Sequence, residues 1–211
     1  MRLDKEQNAP GKPGVPARWT SSAKTGVGTP VATQCRLWFT ISHGIIDETY
    51  YPDVDLADTR DFQLIVTDGS SFFSEEKRDT LHEIAPLAQG VPGFHLTNTC
   101  KEGRYRISKT VAVDPLRETL LQRVKFAALR GSLADYRIYA LLSPHVDDRG
   151  DKNDSWPDDY KGIPMLFAQR GGITLALACN AEFLHRSCGY VGTSDGWSDL
   201  RQHKRMTWFY S

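Results

Sequence analysis

The chain has 211 residues, 40% of them hydrophobic and 25% charged, which is long enough to bury a core and unlike the composition of a disordered segment. Its 26 Lys and Arg balance 26 Asp and Glu, so no field of one sign draws it to nucleic acid or to an anionic membrane. A neutral partner such as a sugar is compatible with that balance.

Residues 1–17 read as a flexible lead-in, because Pro10, Pro13, Pro16, Gly11 and Gly14 prevent helix and favour an extended path. Trp19 is a large aromatic in such a segment, and it is expected to dock residues 18–30 on the body of a domain spanning 18–211. The first 30 residues hold no apolar stretch of the kind that leads a chain into secretion, so the chain as written is expected in the cytoplasm. No later apolar run is long enough to span a bilayer.

From residue 36 onward the chain reads as strand after strand. Residues 36–41 are aromatic and β-branched, and 45–51 follow a break at His43-Gly44. Strands are expected next at 62–67, 80–85, 94–100, 104–113, 119–126 and 136–142. A stripe of Ile173, Leu175 and Leu177 marks another, and 183–192 and 205–210 complete the series. Turn chemistry separates these runs at Asp68-Gly69, Glu102-Gly103, Arg130-Gly131, Gly171-Gly172 and Asp195-Gly196. Many short strands at such spacing predict an all-β sandwich or barrel. The only helical signal is a single turn at 114–119, where Pro115 follows Asp114.

The densest polar segment is 147–160, with six carboxylates at Asp147, Asp148, Asp151, Asp154, Asp158 and Asp159. Hard oxygen ligands in that number suit calcium, with Asp148, Asp151 and Asp154 as the candidate ligands. The spacing departs from the twelve-residue calcium loop, and Arg149 and Lys152 oppose a cation, so a solvated loop is the competing reading. Trp156 and Tyr160 in the same segment, and Tyr50 and Tyr51 earlier, are the aromatic faces on which a sugar would stack. Aromatics that anchor a long loop are the alternative.

Glycoside chemistry needs two carboxylates held across a pocket. Asp47, Glu48, Asp53, Asp55, Asp58, Asp61, Glu75 and Glu76 supply candidates, but none is singled out by context, and Glu48 and Asp61 are as well suited to pairing with Arg36 and Arg60. His43, His82, His95, His145, His185 and His203 include no two at metal-ligand spacing. The four cysteines, Cys35, Cys100, Cys179 and Cys188, match no zinc pattern and read as free buried thiols in strands. No phosphate loop or nucleophile elbow is present.

Specific stretches carry the reading further. They are 19–29, beginning Trp19-Thr20-Ser21-Ser22; 36–52, containing Trp38-Phe39-Thr40-Ile41-Ser42-His43-Gly44; 60–69 with 72–80; and 190–197, ending Ser194-Asp195-Gly196-Trp197. Together they resemble the N-terminal domain of prokaryotic glucoamylases and glucodextranases of glycoside hydrolase family fifteen, over nearly everything from Ala9 to Tyr210. The resemblance implies a large two-sheet antiparallel sandwich similar to galactose mutarotase. It also implies a following catalytic (α/α) barrel that holds both catalytic glutamates. No family catalytic residue then falls within this chain. The family's domain runs on for several more strands, so the sandwich is expected to lack its last strands and to leave 206–210 as an exposed edge. Secreted members of the family carry a leader that this chain does not show.

The resemblance therefore implies a non-catalytic domain supporting a barrel that acts on starch or dextran. A stand-alone carbohydrate-binding module and a mutarotase-like sugar epimerase are the alternatives, each from a different class. No cofactor is called for beyond the calcium considered above.

Overall fold

The computed structural model describes residues 8–11, 18–19 and 23–211. The lead-in call on 1–17 falls largely outside the described residues, as do residues 20–22 of the segment expected to dock. The described part of the lead-in touches the body: the Ser194 hydroxyl donates to the Pro10 carbonyl at 2.7 Å. Trp19 meets the His145 ring edge-on at 4.5 Å and keeps 38% of its surface exposed, so it is docked by one side only.

Thirteen strands and two short α-helices are present among the described residues. One sheet contains β1 (Gly26–Gly28), β2 (Trp38–Ser42), β3 (Ile45–Tyr50), β4 (Thr59–Thr67) and β5 (Phe73–Glu75). The helix α1 (Glu76–Asp79) then carries the chain into a second sheet of β6 (Thr80–Pro86), β7 (Phe94–Cys100), β8 (Tyr105–Val113) and β9 (Leu120–Ala128). The chain returns with β10 (Arg137–Pro144), which adds to the free edge of β4. The first sheet thus runs β1-β2-β3-β4-β10 with β5 on β4, and the second runs β6-β7-β8-β9. A third sheet, β11 (Asp154–Tyr160), β12 (Ile163–Arg170) and β13 (Ile173–Ala178), is an antiparallel meander beside the sandwich. Among the described residues no helix is long and apolar enough to cross a membrane.

Alternation decides which side chains meet between the first two sheets. Phe39, Ile41 and Ile46 of the first sheet close on Leu96, Val111 and Val113 of the second. Leu64 and Val66 close on Cys100, Tyr105 and Ile107. Between these two apolar clusters lies a charged pair: Lys109 Nζ stands 2.7 Å from Glu76 Oε1, and both side chains are fully buried. Lys109 occupies the inward parity of β8, between Ile107 and Val111. Glu76 arrives from α1, where the chain changes sheets. Its second oxygen accepts the Leu64 N–H of β4 at 2.9 Å. The amide of Asn98, from β7, donates to Glu76 Oε1 at 2.5 Å and to the Gly44 carbonyl at 2.8 Å.

The outward side of β4 is buried too. Thr59, Asp61, Gln63, Ile65 and Thr67 are at most 4% exposed, which an open sheet face would not allow. A C-terminal helix, α2 (Gly196–His203), and the residues after it cover part of this face. Trp197 Nε1 donates to Glu75 at 3.2 Å, its ring meets Phe73 edge-on, and Thr67 donates to the Lys204 carbonyl at 2.6 Å. Asp195 caps α2 by accepting the Ser198 N–H, and Lys204 ends it in the left-handed conformation. Buried Asp199 then fixes the exit: its carboxylate accepts from Thr207, Trp208 and His203. Burial alone raises this carboxyl, but those donors outweigh it and hold its pKa below the usual value.

Four local expectations are corrected here. Residues 183–192 and 205–210 are not strands. They are irregular cover segments joined by Cys188 N–H to the Tyr210 carbonyl and by Tyr210 N–H to the Ser187 hydroxyl, so 206–210 forms no strand edge. The α-helices lie at α1 and α2, and 114–119 is a turn closed by Asp114 N–H to Thr119 O. The acidic loop ends at residue 153, because Asp154–Tyr160 is β11. Cys35 and Cys100 are buried, but Cys179 is exposed and Cys188 is partly so.

The sandwich is open along β9 and β10. Val124 and Ile138 point inward by register, opposite Lys109 and Val66, yet they are 41% and 46% exposed.

Replacing Lys109 by Met should cost about 3–5 kcal/mol in a urea unfolding series, because it strands the Glu76 carboxylate in the core. The double change Glu76→Gln with Lys109→Met should recover part of that loss, since Gln keeps an acceptor for the Leu64 N–H without a charge. Equal stabilities for the parent and Lys109→Met would show that the pair does not hold the core.

Candidate functional site

The carboxylates of the first sheet are gathered by one irregularity. The β2–β3 ladder slips between Phe39 and Ile41, so Asp47 and Glu48 together oppose Thr40. A bulge of this kind brings two successive side chains toward one side. Lys24 donates to Glu48 Oε2, the Tyr50 hydroxyl donates to the same oxygen at 2.9 Å, and Thr40 lies 3.2 Å from it. Burial first, and then the Glu48 acceptor, push the Tyr50 phenol up to about 12. Asp47 is fully buried, and among the described residues its carboxylate oxygens have no hydrogen-bond partner of normal geometry. Burial raises its carboxyl, against the Ser42 hydroxyl and Lys24 at 4.0 Å, which favour the anion.

These groups face inward to one another, and α-glucan chemistry would need two carboxylates open to a cleft. Glu48 is committed to Lys24, Thr40 and Tyr50, not to Arg36. Asp61 lies 3.6 Å from Arg60, as its neighbouring position suggests, and 3.9 Å from Lys77. Arg36 instead stacks on the Tyr51 ring at 5.3 Å and donates to its hydroxyl at 3.2 Å. Tyr51 packs against the apolar core, so the adjacent tyrosines serve different contacts and form no common platform.

Trp156 and Tyr160 lie on one side of β11, four residues apart. That separates them by about 13 Å along a strand. Trp156 stacks on Phe167 across the ladder, with centroids 5.4 Å apart and planes at 17°. Tyr160 is 54% exposed, with Lys161 Nζ 5.1 Å from its centroid.

Asp148, Asp151 and Asp154 are not drawn together. Among the described residues no group of three Asp, Glu, His or Cys side chains is arranged to hold a metal ion. The segment is shaped by other groups: Asn153 accepts the Val146 N–H and donates to the Arg149 carbonyl, while Arg170 donates to the Asp151 carbonyl at 2.7 Å.

The chain also builds a pocket of about 350 Å³ that the one-dimensional spacing did not signal. It lies at the mouth of the sandwich, lined by Ala23, Thr25, Ser42 and His43 from the first sheet's side and His82 and Ile84 from β6. His43 and Gly44 form the β2–β3 turn with φ of 48° and 70°. Glycine is required at the second place because a Cβ there would lie 1.9 Å from Asn98 Oδ1. The His43 and His82 rings meet edge-on with centroids 5.9 Å apart. The carboxylate that a mutarotase-like reading sets opposite a histidine is not among the lining residues.

Asp58, 3% exposed, accepts the Asp147 N–H at 3.2 Å, and burial pushes its carboxyl up to about 6. It therefore holds a proton more tightly folded than unfolded. That contribution is complete below about pH 4, the unfolded value, and fades as pH rises to about 6; it is worth about 3 kcal/mol. In thermal melts across this window, Asp58→Asn should flatten the decline with rising pH. An unchanged slope would assign the decline to other groups.

A family profile for glucodextranase, domain N, matches residues 9–211. A glucoamylase of Clostridium sp. (strain G0005) is 37% identical over 212 residues, which take in 100% of this chain and 30% of that protein. A crystal structure of a bacterial glucoamylase complexed with acarbose superposes with a TM-score of 0.95 at 36% identity, covering 100% of this chain and 31% of that one. The chain thus spans under a third of the length of these relatives.

Proposed function

Because this chain belongs to the glucodextranase domain N family, we propose that it serves as the non-catalytic sandwich of a glucoamylase-type enzyme, supporting the folding and docking of a catalytic (α/α) barrel. The observation that carries this reading is the superposition of the entire chain on under a third of a solved glucoamylase, at a TM-score of 0.95. The architecture supports it. Glu48 and Asp61 of the first sheet are held in buried pairs, whereas the inward-facing Val124 and Ile138 are left exposed along β9 and β10. An apolar rim of that kind is suited to further polypeptide. In this role the domain contributes packing area, and the barrel would supply the chemistry on starch or dextran.

A second reading, a carbohydrate-contacting surface, has one specific observation in its favour. Trp156 and Tyr160 share a side of β11, and Tyr160 is exposed. Their separation suits two sugar rings of one chain rather than a single ring.

The test uses the Clostridium relative deprived of its matching segment. Produced alone, the remainder should be poorly soluble or inactive. Produced together with the present chain, it should regain soluble yield and glucose release from starch, while the chain by itself releases none from starch, maltose or dextran. Full activity of the remainder without the chain would remove the supporting role. Glucose release by the chain alone, abolished by a point change within it, would overturn the non-catalytic assignment.

A further inference from the structure

We propose that His43 and His82 form a two-histidine site for a zinc-class divalent cation, which would clamp the two sheets together at the mouth of the sandwich. The two imidazoles come from different sheets, His43 from the β2–β3 turn and His82 from β6, and they share the same pocket.

The hydrogen bonds set which ring nitrogens are free. His82 Nδ1 lies 3.4 Å from Thr80 Oγ1, and that hydroxyl already donates its proton to the Glu76 carbonyl at 2.6 Å. It therefore presents a lone pair to His82, which must hold its proton on Nδ1. His43 Nδ1 lies 2.8 Å from Ser42 Oγ. Ser42 Oγ accepts from His43 when that ring carries its proton on Nδ1, the same tautomer as His82. Both rings then carry Nδ1–H and keep the Nε2 lone pair for a cation. Metal-bound histidines are characteristically fixed in this way, with the far N–H given to an acceptor.

The spacing agrees. Two imidazoles that share a tetrahedral cation at metal–nitrogen distances of about 2.0–2.1 Å place their centres about 5–6 Å apart, and these rings stand 5.9 Å apart. The pocket has room for the ion and for waters completing its shell, at about 30 Å³ each. Two imidazoles and water suit zinc, copper or nickel rather than calcium or magnesium. The turn holds His43 at φ 48°, a left-handed position that histidine, like Asn and Asp, takes up readily, ahead of Gly44 at φ 70°. Facing His82 are Lys101, Lys109 and Glu76. Lys109 is neutralised by Glu76, and Lys101 Nζ is tied to the Arg78 carbonyl at 2.6 Å. The remaining positive charge of Lys101 tempers the affinity without occupying the pocket.

The test is calorimetric titration of the 211-residue chain with Zn²⁺ under reducing conditions, with thermal melts run in parallel. One ion should bind per chain and raise the melting temperature. His43→Asn, which keeps a favoured turn residue, and His82→Gln should each weaken binding by at least roughly tenfold and abolish the thermal shift; Ser42→Ala should weaken binding by roughly tenfold through the His43 ring. His185→Gln should bind like the parent. An absence of binding by the parent would overturn the site. So would parental affinity in His43→Asn and His82→Gln when both melt like the metal-free parent, or a loss that instead follows Cys179→Ser.

Discussion

The Glu76–Lys109 pair is the constraint around which this sandwich is arranged. Two charges inside an apolar core are tolerated only if their attraction and their hydrogen bonds offset the loss of hydration. Here every partner must be in place together. Glu76 comes from the crossing helix, Lys109 from β8, the Asn98 amide from β7 and the Leu64 N–H from β4. The pair thus ties the crossing between sheets to the central strands of both. A slip of β8 by one residue would move Lys109 to solvent and leave Glu76 alone, so the pair opposes register errors that the two apolar clusters would penalise less sharply. That is a contribution to uniqueness more than to net stability.

A second constraint follows from covering both sides of the first sheet. The inner side is apolar, whereas the outer side carries Asp47, Glu48, Asp61, Gln63 and Glu75. Buried carboxylates on a sheet face are costly unless paired, and the cover supplies the partners: Lys24, Lys77, Trp197 and the C-terminal tail. The tail is fixed through Asp199, whose several donors make it a local organising centre. The acids that first resemble a catalytic set are therefore the polar lining of a covered interface.

Much of this was legible in the sequence, and the failures have physical causes. Strand β7 lies at 94–100 as alternation predicts, and β8 differs by one residue, because both strands face the core on one side and water on the other. Residues 183–192 and 205–210 are aromatic and apolar, which mimics a strand, yet their hydrophobicity serves as cover and their backbone pairs only at isolated points. Helix α2 was hidden because Asp195-Gly196 is a turn signal; Asp195 with Ser198 is the capping pair that would have revealed it. Acidic density suggested a metal at 148–154, but density without convergence is a solvated loop. His43 and His82, separated by β3, β4, β5 and α1 in the chain, meet only because the sheets face each other, and no linear spacing encodes that meeting. The whole-domain resemblance, by contrast, was readable because it rests on long contiguous stretches.

The polar cover also has a timing consequence during synthesis. The Ser194 hydroxyl bonds to the Pro10 carbonyl across 184 positions, and Thr67 to the Lys204 carbonyl across 137. The inner core needs nothing beyond β10, which ends at Pro144. The two facing sheets can therefore close while the outer side of β3 and β4 is still wet, and roughly 60 further residues must leave the ribosome first, about 3–12 s at ordinary rates of translation. During that interval the Glu75 carboxylate, which Trp197 later meets, stays hydrated on the outer side of the sheet. Its charge opposes pairing of a nascent, half-covered sheet with its neighbours until the C-terminal helix arrives to seal it.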